Sequence, residues 1–149
     1  MAQQTLPLIP ENSALYLGIL NSLRSWNFFD KPDGVEVYAN TGGFGIDGGI
    51  SSLAGAALAS PEKLFFGITG DLAFFYDMNI FGNRHFASNI RLLLINNGRG
   101  TEFRNYSHPA ARFGEKADAF MAAGRAKKLT RKALGESGVR MVKGLIKKK

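Results

Sequence analysis

Two pairs of polar residues at the ends of apolar runs could hold a divalent cation against a diphosphate. Gly70-Asp71 closes the apolar run of residues 63–71, and Asn96-Asn97 closes the run that begins at Arg91. Carboxylate, amide and backbone carbonyl oxygens are the hard ligands that suit Mg²⁺ or Ca²⁺. The sequence therefore predicts a cation site that also binds phosphate oxygens.

The segments around these pairs predict a parallel α/β arrangement that brings the pairs together. Both apolar runs are typical of buried strands, and the apolar residues between them recur at helical spacing. Two strands joined by a crossover helix are parallel, so both end at the same edge of the sheet, where α/β folds bind ligands. We expect a three-layer α/β domain with helices on both faces. The expected strands are residues 35–40, 64–69 and 92–96, and the expected helices are residues 12–26, 49–59 and 72–86.

The four ordered motifs resemble those of a known cofactor domain. The spacing from Gly70-Asp71 to Asn96-Asn97 is similar to the diphosphate-binding motif of thiamine-diphosphate enzymes. Asn12-Ser13, the NTGGFGIDG segment (residues 40–48) and the DMN segment (residues 77–79) extend the likeness. Together they resemble the C-terminal, diphosphate-binding domain of the 2-succinyl-5-enolpyruvyl-6-hydroxy-3-cyclohexene-1-carboxylate synthases, over about residues 12–113.

This resemblance implies thiamine diphosphate and Mg²⁺ as cofactors, and it assigns roles to individual residues. It gives Asp71, Asn97 and the backbone carbonyl of Arg99 as metal ligands, Ile46 as the apolar support of the bent cofactor, and Phe103 as a residue over the active site. The expected cofactor-binding residues are Gly45, Ile46, Gly70, Asp71, Leu72, Ala73, Asn97 and Phe103. His108 lies in the loop beyond this motif, and we expect it to be a catalytic residue in the substrate pocket.

Two departures from the synthase pattern concern the substrate. The resemblance places a substrate-binding arginine at the position of Leu17 and a second one at Thr41. Arginine is the side chain suited to bidentate recognition of carboxylates. The two replacements therefore indicate that the chain keeps the cofactor half of the site and not the substrate half.

The catalytic glutamate of thiamine-diphosphate enzymes lies on a separate pyrimidine-binding domain, and no segment here resembles that domain. The length of 149 residues predicts one α/β domain. We therefore expect the diphosphate-side half of an active site for decarboxylation or carboligation of a 2-oxo acid. A partner domain or subunit, in a homo- or hetero-oligomer, would supply the glutamate, and the chain alone would be inactive.

Two alternative interpretations remain open. Gly43, Gly45 and Gly48 satisfy the G-x-G-x-x-G fingerprint of a Rossmann-type NAD(P) site, with Asp71 as the later acidic residue. A purely structural interpretation makes residues 96–98 a turn that tolerates left-handed backbone, and Asp71 a helix N-cap.

The net charge of +7 lies at the C-terminal end of the chain. Residues 1–109 carry seven basic and nine acidic side chains, whereas residues 110–149 carry twelve and three. We therefore expect a domain over residues 1–124 and a basic, partly helical or disordered tail over residues 125–149. The domain would be incomplete at its C-terminal part, through truncation, a frameshift or a lineage-specific tail. Nucleic-acid binding is not expected, but a non-catalytic domain whose tail binds polyanions or a membrane surface is a further alternative.

The remaining composition indicates a cytoplasmic protein. The sequence has no cysteine, no recognisable signal peptide and no apolar run of the length that a transmembrane helix needs, about 18 residues. The twelve phenylalanines are expected in the core or at an oligomer interface.

Overall fold

The computed structural model describes residues 1–104 and 108–116 and contains a parallel α/β sheet. Within these residues the sheet has four strands: β1 (Ser13–Leu17), β2 (Val35–Tyr38), β3 (Leu64–Gly70) and β4 (Ile90–Ile95). The strand order is β2-β1-β3-β4, and all three neighbouring pairs are parallel. The predicted α/β fold class is confirmed.

Helical elements cover both faces of the sheet, and each face has its own hydrophobic core. On one face Leu6 and Trp26 pack with Leu15 and Ile68 of the sheet. On the other face the second core includes Leu53 and Phe74. The α-helices are α1 (Ala2–Thr5), α2 (Asn21–Trp26), α3 (Gly49–Ala59) and α4 (Asp71–Tyr76), and the 3₁₀ helices are Leu6–Leu8, Met78–Gly82, Thr101–Arg104 and Pro109–Phe113.

The prediction of one helix over residues 12–26 is wrong. The segment begins with strand β1 in the interior of the sheet, and only its last part forms helix α2. Four of the five residues of β1 are buried because its neighbours and both helical layers cover it. A short strand that is buried on both faces has a continuous apolar sequence, so its periodicity does not distinguish it from a buried helix.

Helix α3 has the predicted bounds, whereas the predicted helix over residues 72–86 ends early. Helix α4 stops at Tyr76, and after Asp77 the chain continues as the 3₁₀ helix Met78–Gly82. Phe74 packs against Phe81 with ring centroids 5.2 Å apart, so both parts contribute to one core. The apolar residues of this segment thus reach one core from two helical elements rather than from one continuous helix.

Strands β3 and β4 end side by side, as the sequence predicts. Gly70 at the end of β3 pairs in register with Ile95 at the end of β4. Gly70-Asp71 and Asn96-Asn97 therefore follow neighbouring strands at one edge. The predicted tail, residues 125–149, lies outside the described residues.

Candidate functional site

A cavity of about 540 Å³ opens at the carboxyl edge of the sheet. Its walls come from the start of α2, the glycine-rich loop before α3, the junction of β3 with α4, and the segment after β4. The volume falls within the range of small-molecule sites, about 300–1,000 Å³. The fold thus gathers four separate sequence segments around one space.

Asp71 is the buried charged group of this cavity, with 2% of its surface exposed. Its Oδ1 accepts a hydrogen bond of 2.9 Å from the Leu72 N–H, and its Oδ2 accepts one of 2.7 Å from the Gly98 N–H. Burial raises the pKa of this carboxyl, and the backbone donors of Gly98 and Leu72 offset part of the rise. A buried carboxylate is costly without a compensating charge, so this position favours a bound cation.

Asn97 lies in a tight turn beside Asp71. Its Oδ1 accepts from the Arg99 N–H at 2.9 Å, and its Nδ2 donates to the Thr101 hydroxyl at 2.8 Å. Gly98 has a φ of +66°, in the left-handed region that glycine adopts without strain. The turn that the purely structural interpretation predicts at residues 96–98 is therefore present. The same interpretation makes Asp71 a helix N-cap, and this is wrong, because Gly70 is the N-cap of α4 and Asp71 is the first helical residue.

The cavity lining contains most of the residues that the sequence singled out. Besides Asp71, Asn97 and Arg99, the lining residues from that set are Ile46, Gly70, Leu72, Ala73, Phe103 and His108. Gly45 is outside the lining, although its neighbours Phe44 and Ile46 belong to it.

One ring nitrogen of His108 accepts a hydrogen bond from the backbone. Its Nδ1 accepts a hydrogen bond of 3.1 Å from the Ala110 N–H, and its ring meets Phe103 edge to face with centroids 5.1 Å apart. Because Nδ1 is an acceptor, the proton of the neutral ring is on Nε2. His108 can therefore donate a hydrogen bond from Nε2.

The assignment of Leu17 to a substrate-facing position is wrong. Leu17 is 4% exposed and packs in the core of one sheet face. A second Asn-Ser pair, Asn21-Ser22, begins helix α2 and lines the cavity, and that helix carries Arg24. Sequence reasoning missed Arg24, although the repeated Asn-Ser pair was a visible signal. Leu17 therefore gives no evidence that this chain lacks the substrate-binding arginine of the synthase pattern.

Arg24 joins two segments that line the cavity. Its Nη1 lies 2.6 Å from Glu102 Oε2, in the 3₁₀ helix after β4. The side chains are 51% and 30% exposed, so this pair contributes little to stability, about 0–1 kcal/mol. The pair links helix α2, which carries Arg24, to Glu102 in the cavity wall.

The geometry disfavours the Rossmann alternative. The glycine-rich loop follows β2, whereas Asp71 follows β3, and β1 lies between these two strands. In a Rossmann site the glycine loop and the acidic residue follow adjacent strands, so that both contact one dinucleotide. Here both oxygens of Asp71 accept from its own helix and from the Gly98 loop instead.

Several curated proteins are similar to about two thirds of this chain. The 2-succinyl-5-enolpyruvyl-6-hydroxy-3-cyclohexene-1-carboxylate synthase of Bacteroides fragilis is 47% identical over 95 residues, which cover 64% of this chain and 17% of the relative. The synthases of Christiangramia forsetii and Cytophaga hutchinsonii are 39% and 42% identical over 102 and 104 residues, covering 68% and 69% of this chain and 18% of each relative. No family model matches the chain.

These matches confirm the resemblance that the four motifs indicate. The chain is homologous to part of these synthases and spans less than a fifth of their length. In the described part of the chain, no helix is long and apolar enough to cross a membrane.

Proposed function

We propose that this chain, a homologue of part of these synthases, binds thiamine diphosphate through Mg²⁺. It would form the diphosphate-side half of an active site for decarboxylation or carboligation of a 2-oxo acid. The observation that carries the proposal is the buried Asp71 carboxylate in the cavity, joined to the loop after β4 by the Gly98 N–H. The homology to the synthases supports the same cofactor class.

The oxygen donors at the edge of the sheet fit a small hard cation. Asp71 offers a carboxylate, Asn97 an amide oxygen, and Arg99 a backbone carbonyl, and all three residues line the cavity. Mg²⁺ binds one or two such protein groups and completes its shell with water and phosphate oxygens. Gly70 has open space where a side chain would stand, so phosphate oxygens can approach the backbone here.

When bound, thiamine diphosphate supplies the electron sink for cleavage or formation of the bond next to a carbonyl. The chain's own residues would orient the ligand and exclude water. Ile46 and Phe103 provide apolar walls, and His108 presents Nε2–H as a hydrogen-bond donor to a polar group of the substrate. Arg24 is the candidate for a substrate carboxylate, in exchange for Glu102.

A partner domain or subunit with the catalytic glutamate would complete this site. Glu102 lines the cavity, but its carboxylate is bound to Arg24. In that pairing it does not serve as the glutamate that hydrogen-bonds the aminopyrimidine ring. The proposal therefore assigns binding and positioning to this chain and proton transfer at the pyrimidine to its partner.

Calorimetric titration of the full chain with thiamine diphosphate, with and without Mg²⁺, tests the proposal. We expect binding that depends on Mg²⁺ and is lost in Asp71→Asn, because an amide cannot replace the carboxylate charge. Asp33→Asn is the matched control, because Asp33 is exposed and precedes β2 at the opposite edge of the sheet.

Two results would contradict the proposal. One is the absence of heat from a folded chain with both ligands present, including after addition of a pyrimidine-binding domain from one of the homologous synthases. The other is metal-independent binding of NAD, which would favour the Rossmann alternative.

A further inference from the structure

The loop before α3 carries two residues of the cavity wall. Phe44 and Ile46 line the cavity, and Phe44 is 67% exposed with a φ of +48°. Gly48 also has a positive φ, +71°, at the N-cap of α3. A non-glycine residue in the left-handed region persists where its surroundings hold the backbone.

The C-terminal end of this loop is held by Asp77. This residue is 9% exposed and follows helix α4. One carboxylate oxygen accepts from the Ser51 N–H at 2.6 Å, and the other accepts from the Ser51 hydroxyl at 2.5 Å. Ser51 lies in the first turn of α3, so Asp77 satisfies an otherwise unpaired donor of that helix from 26 positions away.

Tyr16 of β1 lies against the same end of the loop. Its hydroxyl stands beside Gly49, the first residue of α3, because a Cβ on Gly49 would be 2.9 Å from the hydroxyl oxygen. Burial and the neighbouring Asp77 charge both raise the pKa of Tyr16, so its hydroxyl stays protonated.

We propose that Tyr16 and Asp77 are positioning residues that hold the glycine-rich loop where it enters α3 and thereby fix Phe44 and Ile46 against the cofactor. The two residues lie on β1, in the interior of the sheet, and directly after α4. Neither side chain belongs to the cavity lining. A loop that is ordered before the ligand arrives lowers the entropy cost of binding. This inference deepens the proposed function and depends on it for the identity of the ligand.

Five variants of the full chain test the inference. Ser51→Ala removes one hydrogen bond to Asp77, Asp77→Asn weakens both, and Tyr16→Phe removes the hydroxyl beside Gly49. Ser52→Ala is the matched control, because the Ser52 hydroxyl donates to the Gly48 carbonyl in the same helical turn without contacting Asp77. Ser51→Thr keeps the hydroxyl and should restore the behaviour of the original chain.

Two measurements are made on each variant. The first is amide hydrogen exchange of residues 41–48 in the chain without ligand, and the second is the affinity for thiamine diphosphate with Mg²⁺. We expect faster exchange in the loop, unchanged exchange in β3, and affinity reduced roughly tenfold in Asp77→Asn, with smaller losses in Ser51→Ala and Tyr16→Phe. Ser52→Ala and Ser51→Thr should match the original chain.

Loop exchange separates this inference from the proposed function. If the original chain binds no thiamine diphosphate but the loop still loosens in the three anchor variants, the cofactor assignment fails and the anchoring stands. Unchanged loop exchange in Ser51→Ala and Tyr16→Phe would overturn the anchoring, even if Asp77→Asn does not fold. Equal effects of Ser51→Ala and Ser52→Ala would overturn it as well.

Discussion

The Asp71 carboxylate accepts a hydrogen bond of 2.7 Å from the backbone N–H of Gly98, 27 positions further along the chain. This contact joins the end of β3 to the loop after β4, and both segments line the cavity. It gives a physical reason for the spacing between Gly70-Asp71 and Asn96-Asn97. The strand, the crossover and the second strand between them return the chain to the same edge.

The raised pKa of Asp71 predicts a pH-dependent stability. Because burial raises this pKa in the folded chain, the folded state binds the proton more tightly than the unfolded state. The contribution of Asp71 to the free energy of unfolding is fully present below the ordinary aspartate pKa. It is lost as the pH rises through the raised pKa that Asp71 has in the folded chain. We expect the free energy of unfolding of the original chain, relative to Asp71→Asn, to fall across this window in denaturant titrations between about pH 4 and 7.

Added cofactor should reverse this trend. As the proton leaves Asp71, the carboxylate becomes available to a cation, so stabilisation by Mg²⁺ with thiamine diphosphate should increase with pH. The same titrations with both ligands measure it, and Asp71→Asn should show no such increase. A stability difference that is independent of pH would contradict this account of the carboxyl.

Gly98→Ala should destabilise the chain because of the backbone conformation alone. A Cβ at Gly98 would meet no atom within 4 Å, but its φ of +66° is unfavourable for alanine by about 1–2 kcal/mol. The loop that presents its N–H to Asp71 should therefore loosen, and affinity for the cofactor should fall with stability. Urea unfolding and calorimetry measure the two effects.

Gly82→Ala is the control for that substitution. Gly82 also has open space around its Cβ position, but its φ lies outside the left-handed region. The free energy of unfolding of the Gly82→Ala variant should differ from that of the original chain by less than about 1 kcal/mol. Equal losses at Gly82 and Gly98 would show that the conformation of the Gly98 turn has no special importance.

Gly67→Ala should destabilise the sheet through crowding. A Cβ at Gly67 would stand 2.6 Å from Leu53 Cδ2 of α3 and 2.8 Å from Leu92 Cδ1 of β4. Overpacking of this kind costs about 1–3 kcal/mol, because both leucines must leave their positions in a close-packed core. Denaturant midpoints measure the cost.

Gly55→Ala, in the neighbouring helix α3, should stabilise the chain rather than destabilise it. Gly55 is exposed in the middle of α3 with open space around its Cβ position, so alanine should stabilise the chain by about 0.5–1 kcal/mol. A loss of stability at Gly55, or none at Gly67, would contradict this description of the α3–β3 packing.

Local sequence signals were sufficient where each element had a distinctive pattern and clear ends. Strands β2, β3 and β4 and helix α3 were predictable because glycine, proline or polar residues interrupt the chain around them. Strand β1 was not, because its five residues are apolar in a row apart from Ser13, and the apolar residues Ile19, Leu20 and Leu23 follow it. Only its neighbours in the sheet determine that it is extended.

The sequence by itself determined the α/β class, the edge of the sheet at which the cavity opens, and about half of the residues that line the cavity, because motif order and parallel topology follow from local patterns. The tertiary structure decided which distant groups meet. The hydrogen bonds of Asp77 with Ser51, the pairing of Arg24 with Glu102 and the burial of Leu17 depend on how helices pack on the sheet. Such contacts join residues far apart in the chain, and no local periodicity encodes them.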